Sequence, residues 1–180
     1  MQLYIILGIV GFLLLIFFTL VGIYNKLAKL KVMVEEASSD IETFLKQRYD
    51  MIPNLVETVK GYAKHESSTL EKVTEMRTKA MGAGSLPEKM KMEEGLSNAI
   101  SKVFAIAENY PDLKANTNFL ELQTTLKDLE DNIQKSRRYY NGAARDFNTS
   151  IVVFPTNLMA QMLGYKKVEF FEASEEEKKN

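Results

Sequence analysis

From Leu3 to Ile23 the chain reads LYIILGIVGFLLLIFFTLVGI without a single charge, and beyond it the apolar residues fall into steps of three and four. As a helix the first block measures roughly 31 Å, the thickness of a bilayer's hydrocarbon core, and is expected to span a membrane. No Pro or Gly occurs between Gly22 and Pro53. The membrane helix should therefore continue into a polar helix ending near Tyr49 or Asp50, with Val34, Ala37, Ile41, Phe44/Leu45 and Ile52 as its buried stripe. Pro53 suits the first turn of a second helix, whose stripe is Leu55/Val56, Val59, Tyr62/Ala63, Leu70, Val73 and Met76, ending at Gly82-Ala83-Gly84. Ser85-Leu86-Pro87-Glu88 then combines an N-cap serine, an early proline and a capping-box glutamate. This third helix, with Leu96, Ala99/Ile100, Val103/Phe104 and Ala107, should stop at Tyr110-Pro111 near Asn109. A fourth, from about Asp112 to Asn148, carries Phe119, Leu122, Leu126, Leu129, Ile133, Tyr140 and Phe147, followed by Ile151, in coiled-coil-like steps.

The expected fold class is all-α: a single N-terminal transmembrane helix continuing into an up-down-up-down four-helix bundle. The expected divisions are an anchor at 1–25, a bundle with a short C-terminal amphipathic segment at 26–165, and a charged tail at 166–180. A cleaved signal peptide would need a basic n-region, a shorter apolar stretch and an A-x-A-like site, and none is present. Only Met1 and Gln2 precede the apolar run, whereas Lys26, Lys29 and Lys31 follow it. The positive-inside rule then puts the N-terminus outside and the body in the cytoplasm, where the sequon Asn148-Thr149-Ser150 has no meaning. Gly8, Gly11, Thr19 and Gly22 form no strict G-x-x-x-G and read as ordinary small residues of a span. After Ile151-Val152-Val153-Phe154-Pro155, the residues Leu158, Met159, Met162 and Leu163 lead to Tyr165-Lys166-Lys167. That pattern suits either a hydrophobic cap on the bundle or an interfacial segment.

Composition narrows the chemistry. Among 180 residues, Lys+Arg 23 against Asp+Glu 24 give a net charge of -1, so nucleic acid is not an expected partner. With no Cys and one His, thiolate and His-rich metal sites are excluded. His65 reads as a surface residue, and Gly82-Ala83-Gly84 is a helix-helix turn, having neither a strand before it nor a Lys-Ser/Thr after it. Exposed carboxylates are plentiful, but none is paired with a His. The expectation is no enzyme, no cofactor and no metal, with the lipid bilayer and protein partners or a second copy as the contacts. The nine Met fit core filling.

One polar row stands apart. Arg138, Asn141, Arg145 and Asn148 recur at three, four and three beside the fourth helix's seam, with Tyr139 and Tyr140 adjacent. Asp50, Glu57 and Glu108 are the expected mates. Such a row either sets helix register as a buried polar network or binds a small anion or lipid headgroup.

Tyr24-Asn25, LKQRYDMIPNLV at 45–56, GYAKHE at 61–66, ENYPDL at 108–113, RRYYN at 137–141, Phe147-Asn148 and FPTN at 154–157 together resemble the LemA family over nearly the whole chain. The resemblance implies a bacterial membrane-anchored protein with a short external N-terminus and a cytoplasmic helical bundle. It implies no reaction, substrate or cofactor. The positions matching the family's motifs are Arg48, Asp50, Pro53, Tyr110, Pro111, Arg138, Asn141, Asn148 and Pro155, and the roles implied for them are structural.

Overall fold

The computed structural model describes residues 1–171, and these are all-helical, with no strand among them. The elements are α1 (Gln2–Tyr62), α2 (Ser67–Gly82), α3 (Leu86–Ile106), a 3-10 turn (Ala107–Asn109), α4 (Pro111–Lys114), α5 (Thr117–Ser150) and α6 (Thr156–Met162). Most of the expected charged tail, residues 172–180, lies outside the described residues. Two compact units are built from this chain. One comprises residues 1–37 and 139–170; the other comprises 38–138, to which Phe171 also belongs.

The largest departure from the expected pattern lies at Pro53. Instead of starting a second helix, it sits inside α1, which runs on to Tyr62. A proline within a helix removes the N–H that would bond the carbonyl four residues back, here that of Tyr49. Arg77 of α2 supplies the missing donor: its Nε donates to the Tyr49 carbonyl oxygen at 2.7 Å. The orphan acceptor is thereby satisfied from a neighbouring helix, and α1 passes through the proline.

Replacing Arg77 with Ala should therefore cost about 1–3 kcal/mol, the range for stranding a shielded polar group. In a Pro53→Ala background, where residue 53 regains its N–H, the same substitution should cost clearly less. A double-mutant cycle of thermal unfolding measures the difference, and equal losses in both backgrounds would remove Arg77 from this role.

The chain reverses after Tyr62 instead, through Ala63 to Glu66. The Glu66 N–H bonds the Ala63 carbonyl, and the Glu66 carbonyl takes the first helical bond of α2 from Leu70. Asn116 donates to the Tyr62 hydroxyl at 2.9 Å, and the Tyr110 hydroxyl reaches Glu66 Oε1 at 3.4 Å. His65 is exposed within this turn. The N-cap of α3 is as the sequence indicates, Ser85 Oγ accepting from the Glu88 N–H, while the Glu88 carboxylate accepts from the Gly84 N–H, one residue before the capping-box position.

The expected fourth helix is divided. Pro111 opens the single turn α4, and Asn116 then caps α5, its Oδ1 accepting the Phe119 N–H at 3.0 Å. In the unit of residues 38–138 the stripes read from sequence form the core, with Ile41, Leu45, Ile52, Leu55, Val59, Val73, Leu96, Val103, Phe119, Leu126 and Ile133 all buried.

The other unit contains the apolar start of α1, where every residue from Met1 to Gly22 is exposed. This helix is long and apolar enough to cross a membrane. Its later stripe residues Leu27, Val34 and Ala37 are buried, as are Ala143, Ala144, Phe147 and Ile151 of the α5 and α5–α6 region.

Candidate functional site

The deepest polar cluster is centred on Arg48 of α1. Sequence spacing places Arg48 between the buried stripe residues Leu45 and Ile52, so the helix carries its guanidinium into the core, where the residue is 3% exposed. A lone buried cation would be prohibitively costly, and α3 and α5 supply the counter-charges. Arg48 Nη1 donates to Glu93 Oε2 at 3.2 Å and to Glu130 Oε2 at 2.5 Å, while Nη2 donates to Ser97 Oγ at 2.8 Å. The Ser97 hydroxyl donates in turn to Glu130 Oε2 at 3.1 Å, and Gln134 donates to Glu130 Oε1 at 3.1 Å. The second oxygen of Glu93 accepts the Tyr49 hydroxyl at 2.6 Å. Glu93 is 4% exposed, whereas the Glu130 side chain keeps about a third of its surface open.

Burial raises the Glu93 carboxyl above the ordinary carboxylate range, and the Glu130 charge adds to this. Arg48, the Tyr49 hydrogen bond and the charge of Arg137 act in the opposite direction. Tyr49's phenol is pushed up by burial first and by the Glu93 carboxylate second.

A folded-state carboxyl raised above its unfolded value binds protons more tightly in the native state, so its contribution to stability is complete at low pH and declines as pH rises through the gap. Measured against Glu93→Gln, the stability of the native protein should decline as pH rises above the ordinary glutamate value of about 4.3. Melting temperatures of the two proteins as pH is raised from that value test this. A difference that is flat, or that moves in favour of the native chain with rising pH, refutes the raised carboxyl.

Chemically, the cluster is a closed arginine clamp. The guanidinium bridges the Glu93 and Glu130 carboxylates. Among the described residues no three His, Cys, Asp or Glu side chains converge as a metal site. A groove of about 640 Å³ runs along the end of α1 and α2, lined by Val56, Lys60, Ala63, Leu70, Thr74 and Lys79 among others. At its rim Glu75 is flanked by Lys79 at 2.6 Å and Lys72 at 2.9 Å, which hold its carboxyl down to about 2.

The residues singled out from sequence occupy several places. Arg48 is the centre of the cluster. Asp50 pairs with Lys46 on the surface at 3.5 Å, and Glu57 and Glu108 are exposed. Arg138 is exposed and Asn141 half-buried, both with interaction partners. Arg145 is largely exposed, with its Nε 4.0 Å from Asp146. Tyr140 and Asn148 both hold the C-terminal segment. The Tyr140 hydroxyl donates to the Glu169 carbonyl at 3.1 Å, while the Asn148 amide donates to the Val168 carbonyl and accepts its N–H, each at 2.9 Å.

Sequence reading overlooked Glu93, Ser97, Glu130 and Arg77. The available signal for Glu93 was a carboxylate falling in step with Leu96 and Ile100 on an otherwise apolar stripe. For Glu130, which borders the seam beside Leu129, the pattern offered nothing to single it out.

Together these features define an all-helical protein with a long apolar N-terminal helix and a buried arginine held between two carboxylates. A model described as LemA family matches residues 37–180. The chain is 33% identical over 166 residues to Protein LemA of Metamycoplasma hominis, covering 90% of this chain and 74% of that protein. It belongs to the LemA family. It is also 26% identical to magnetosome protein MamQ 2 of Paramagnetospirillum magneticum, covering 86% of this chain and 66% of that one. To magnetosome protein MamQ of Magnetospirillum gryphiswaldense it is 25% identical, with 85% and 66% covered. The chain thus spans just under two thirds of the MamQ proteins.

Proposed function

We propose that this chain is a non-enzymatic scaffold or adaptor, anchored in the cell membrane by its first 25 residues and presenting residues 26–165 in the cytoplasm as an up-down-up-down four-helix bundle. The observation that carries this reading is the change of character within α1. Residues 3–22 are almost all apolar and every one is exposed, which water would penalise and a bilayer would not, whereas from Leu27 onward the same helix buries a stripe against the protein. Lys26, Lys29 and Lys31 at the end of the apolar run support the cytoplasmic side. The burial of Arg48 and Glu93, with the guanidinium already holding both carboxylates, favours architecture over turnover, since a working carboxylate must reach a substrate. Protein partners or further copies of the chain are the expected ligands of such a body.

Because the chain has no cysteine, single cysteines report on topology cleanly. In intact cells a membrane-impermeant maleimide should label Gln2→Cys, and should label Glu94→Cys only after lysis. Labelling of Glu94→Cys in intact cells would reverse the orientation, and recovery of the protein in the soluble fraction would end the anchor reading. The mass of the protein extracted with its native lipids then tests the scaffold. A defined oligomer or stoichiometric partner supports it, and a partnerless monomer across several detergents overturns it.

A further inference from the structure

α6 is built inside out. Its inward positions are Thr156 and Ala160, the latter 1% exposed, while its outward positions carry Leu158, 54% exposed, and Met162, 83% exposed. The residues leading into it continue the pattern, with Val152, Val153 and Phe154 exposed. In water a seven-residue helix would bury its apolar side and expose its threonine, so this outward surface requires a cover.

The chain supplies both a location and a charge for that cover. Gly164, at φ +69, closes α6 in the left-handed conformation, with the Tyr165 N–H bonding the Ala160 carbonyl and the Gly164 N–H bonding that of Gln161. This reversal packs the Tyr165 ring against Phe147 at 5.6 Å between centroids and beneath Lys31 Nζ, also at 5.6 Å. Lys31 lies eight residues beyond Ile23, about 12 Å along the helix axis, and its Nζ also pairs with Glu35 at 3.5 Å. The contact with α1 therefore falls within about 12 Å of the hydrocarbon edge, just beyond the lipid headgroups, which add about 5–8 Å on each side of the core. Lys26, Lys29, Lys166 and Lys167 are exposed in this same compact unit, as is Lys31, which pairs with Glu35; against the acids Glu35, Glu36, Asp146 and Glu169 they leave the unit's exposed surface with an excess of cations.

We propose that α6 and the loop before it form a second membrane contact, with Phe154, Leu158 and Met162 inserted into the interfacial zone of an anionic leaflet beside the exit of α1. The inference rests on α1 being a membrane anchor. The occupant is lipid: the outward face is small, apolar and flanked by lysines, which matches acyl chains beneath anionic headgroups.

The test uses the full-length chain in nanodiscs of phosphatidylcholine and phosphatidylglycerol, with an environment-sensitive fluorophore on one introduced cysteine at a time. Met162→Cys and Phe154→Cys should be blue-shifted and lose most of their emission to lipids spin-labelled just below the headgroup. Lys102→Cys on α3 should be neither shifted nor quenched. Leu13→Cys, quenched by deeply labelled lipid, reports on the anchor separately. If Leu13→Cys is quenched and Met162→Cys behaves like Lys102→Cys, the second contact is wrong and the anchor stands. If Leu13→Cys is not quenched, the anchor reading itself fails. A blue shift at Met162→Cys that resists lipid quenching and grows with protein-to-lipid ratio would show a second copy on this face, and would likewise overturn the proposal. Lys166→Glu with Lys167→Glu should reduce quenching at Met162→Cys, and more so in phosphatidylglycerol-containing discs than in pure phosphatidylcholine.

Discussion

Arg48→Met is expected to destabilise the protein by about 3–5 kcal/mol, because it removes the cation from a cluster in which Glu93 has no access to water. For a chain of this size that loss lowers the melting temperature by roughly 6–20 °C and consumes a large share of a typical 5–15 kcal/mol of stability. The methionine fills much of the volume of the arginine stem, so the loss reports stranded charge more than a cavity. Glu93 can escape only by taking up a proton, so the variant should be least impaired in mild acid and should worsen towards neutral pH.

The decisive comparison is Arg48→Met with Glu93→Leu. Replacing both members of a buried pair by apolar groups is frequently close to neutral, so the double variant should recover most of the loss. Glu130, already a third open to solvent, can turn outwards, and Tyr49 loses one acceptor worth about 1 kcal/mol. Thermal unfolding of the single and double variants in nanodiscs measures this. If the double variant is as unstable as Arg48→Met, the stranded Glu93 is not the source of the damage.

Phe119→Ala should be comparably severe, at about 3–5 kcal/mol. Phe119 is 2% exposed, meets Phe104 edge to face at 5.9 Å with planes at 75°, and stands in the first turn of α5, where Asn116 caps its N–H. Truncation removes a fully buried ring and an aromatic pair worth about 0.5–1.5 kcal/mol beyond area burial. Phe119→Leu keeps most of the volume and should cost less than half as much. Asn116→Ala, which removes only the cap, should cost about 1 kcal/mol. Melting temperatures order the three, and a mild Phe119→Ala would mean that this part of the core can collapse around the lost ring.

The contrast between these sites shows what a sequence can disclose. Phe119 was legible because burial follows periodicity: apolar residues at three- and four-residue steps must face the same side of a helix, whatever that side meets. The apolar run of Leu3 to Ile23 and the cap at Ser85 were legible for the same reason, since length, hydropathy and capping are local properties of consecutive residues. Each depends only on neighbours within a turn or two.

The remaining features depend on residues far apart in the chain. Pro53 read as the start of a helix because its missing N–H is harmless there, and nothing local indicated that Arg77, 24 positions later, would answer the stranded carbonyl of Tyr49. Asn148 reads as a member of the polar row and Tyr140 as its neighbour on the seam, with nothing local to indicate that the folded chain presents them with the backbone at Val168 and Glu169. Arg48 was marked only through a family resemblance, and its mates Glu93 and Glu130, 45 and 82 residues away, were absent from the expected set. By itself the sequence determined that the chain is helical, where most helices turn inwards, and that its first 23 residues are suited to lipid. Only the tertiary structure decided which charge neutralises which and where α1 ends, because hydrogen bonds and ion pairs are made by proximity in space and carry no periodic signature along the chain.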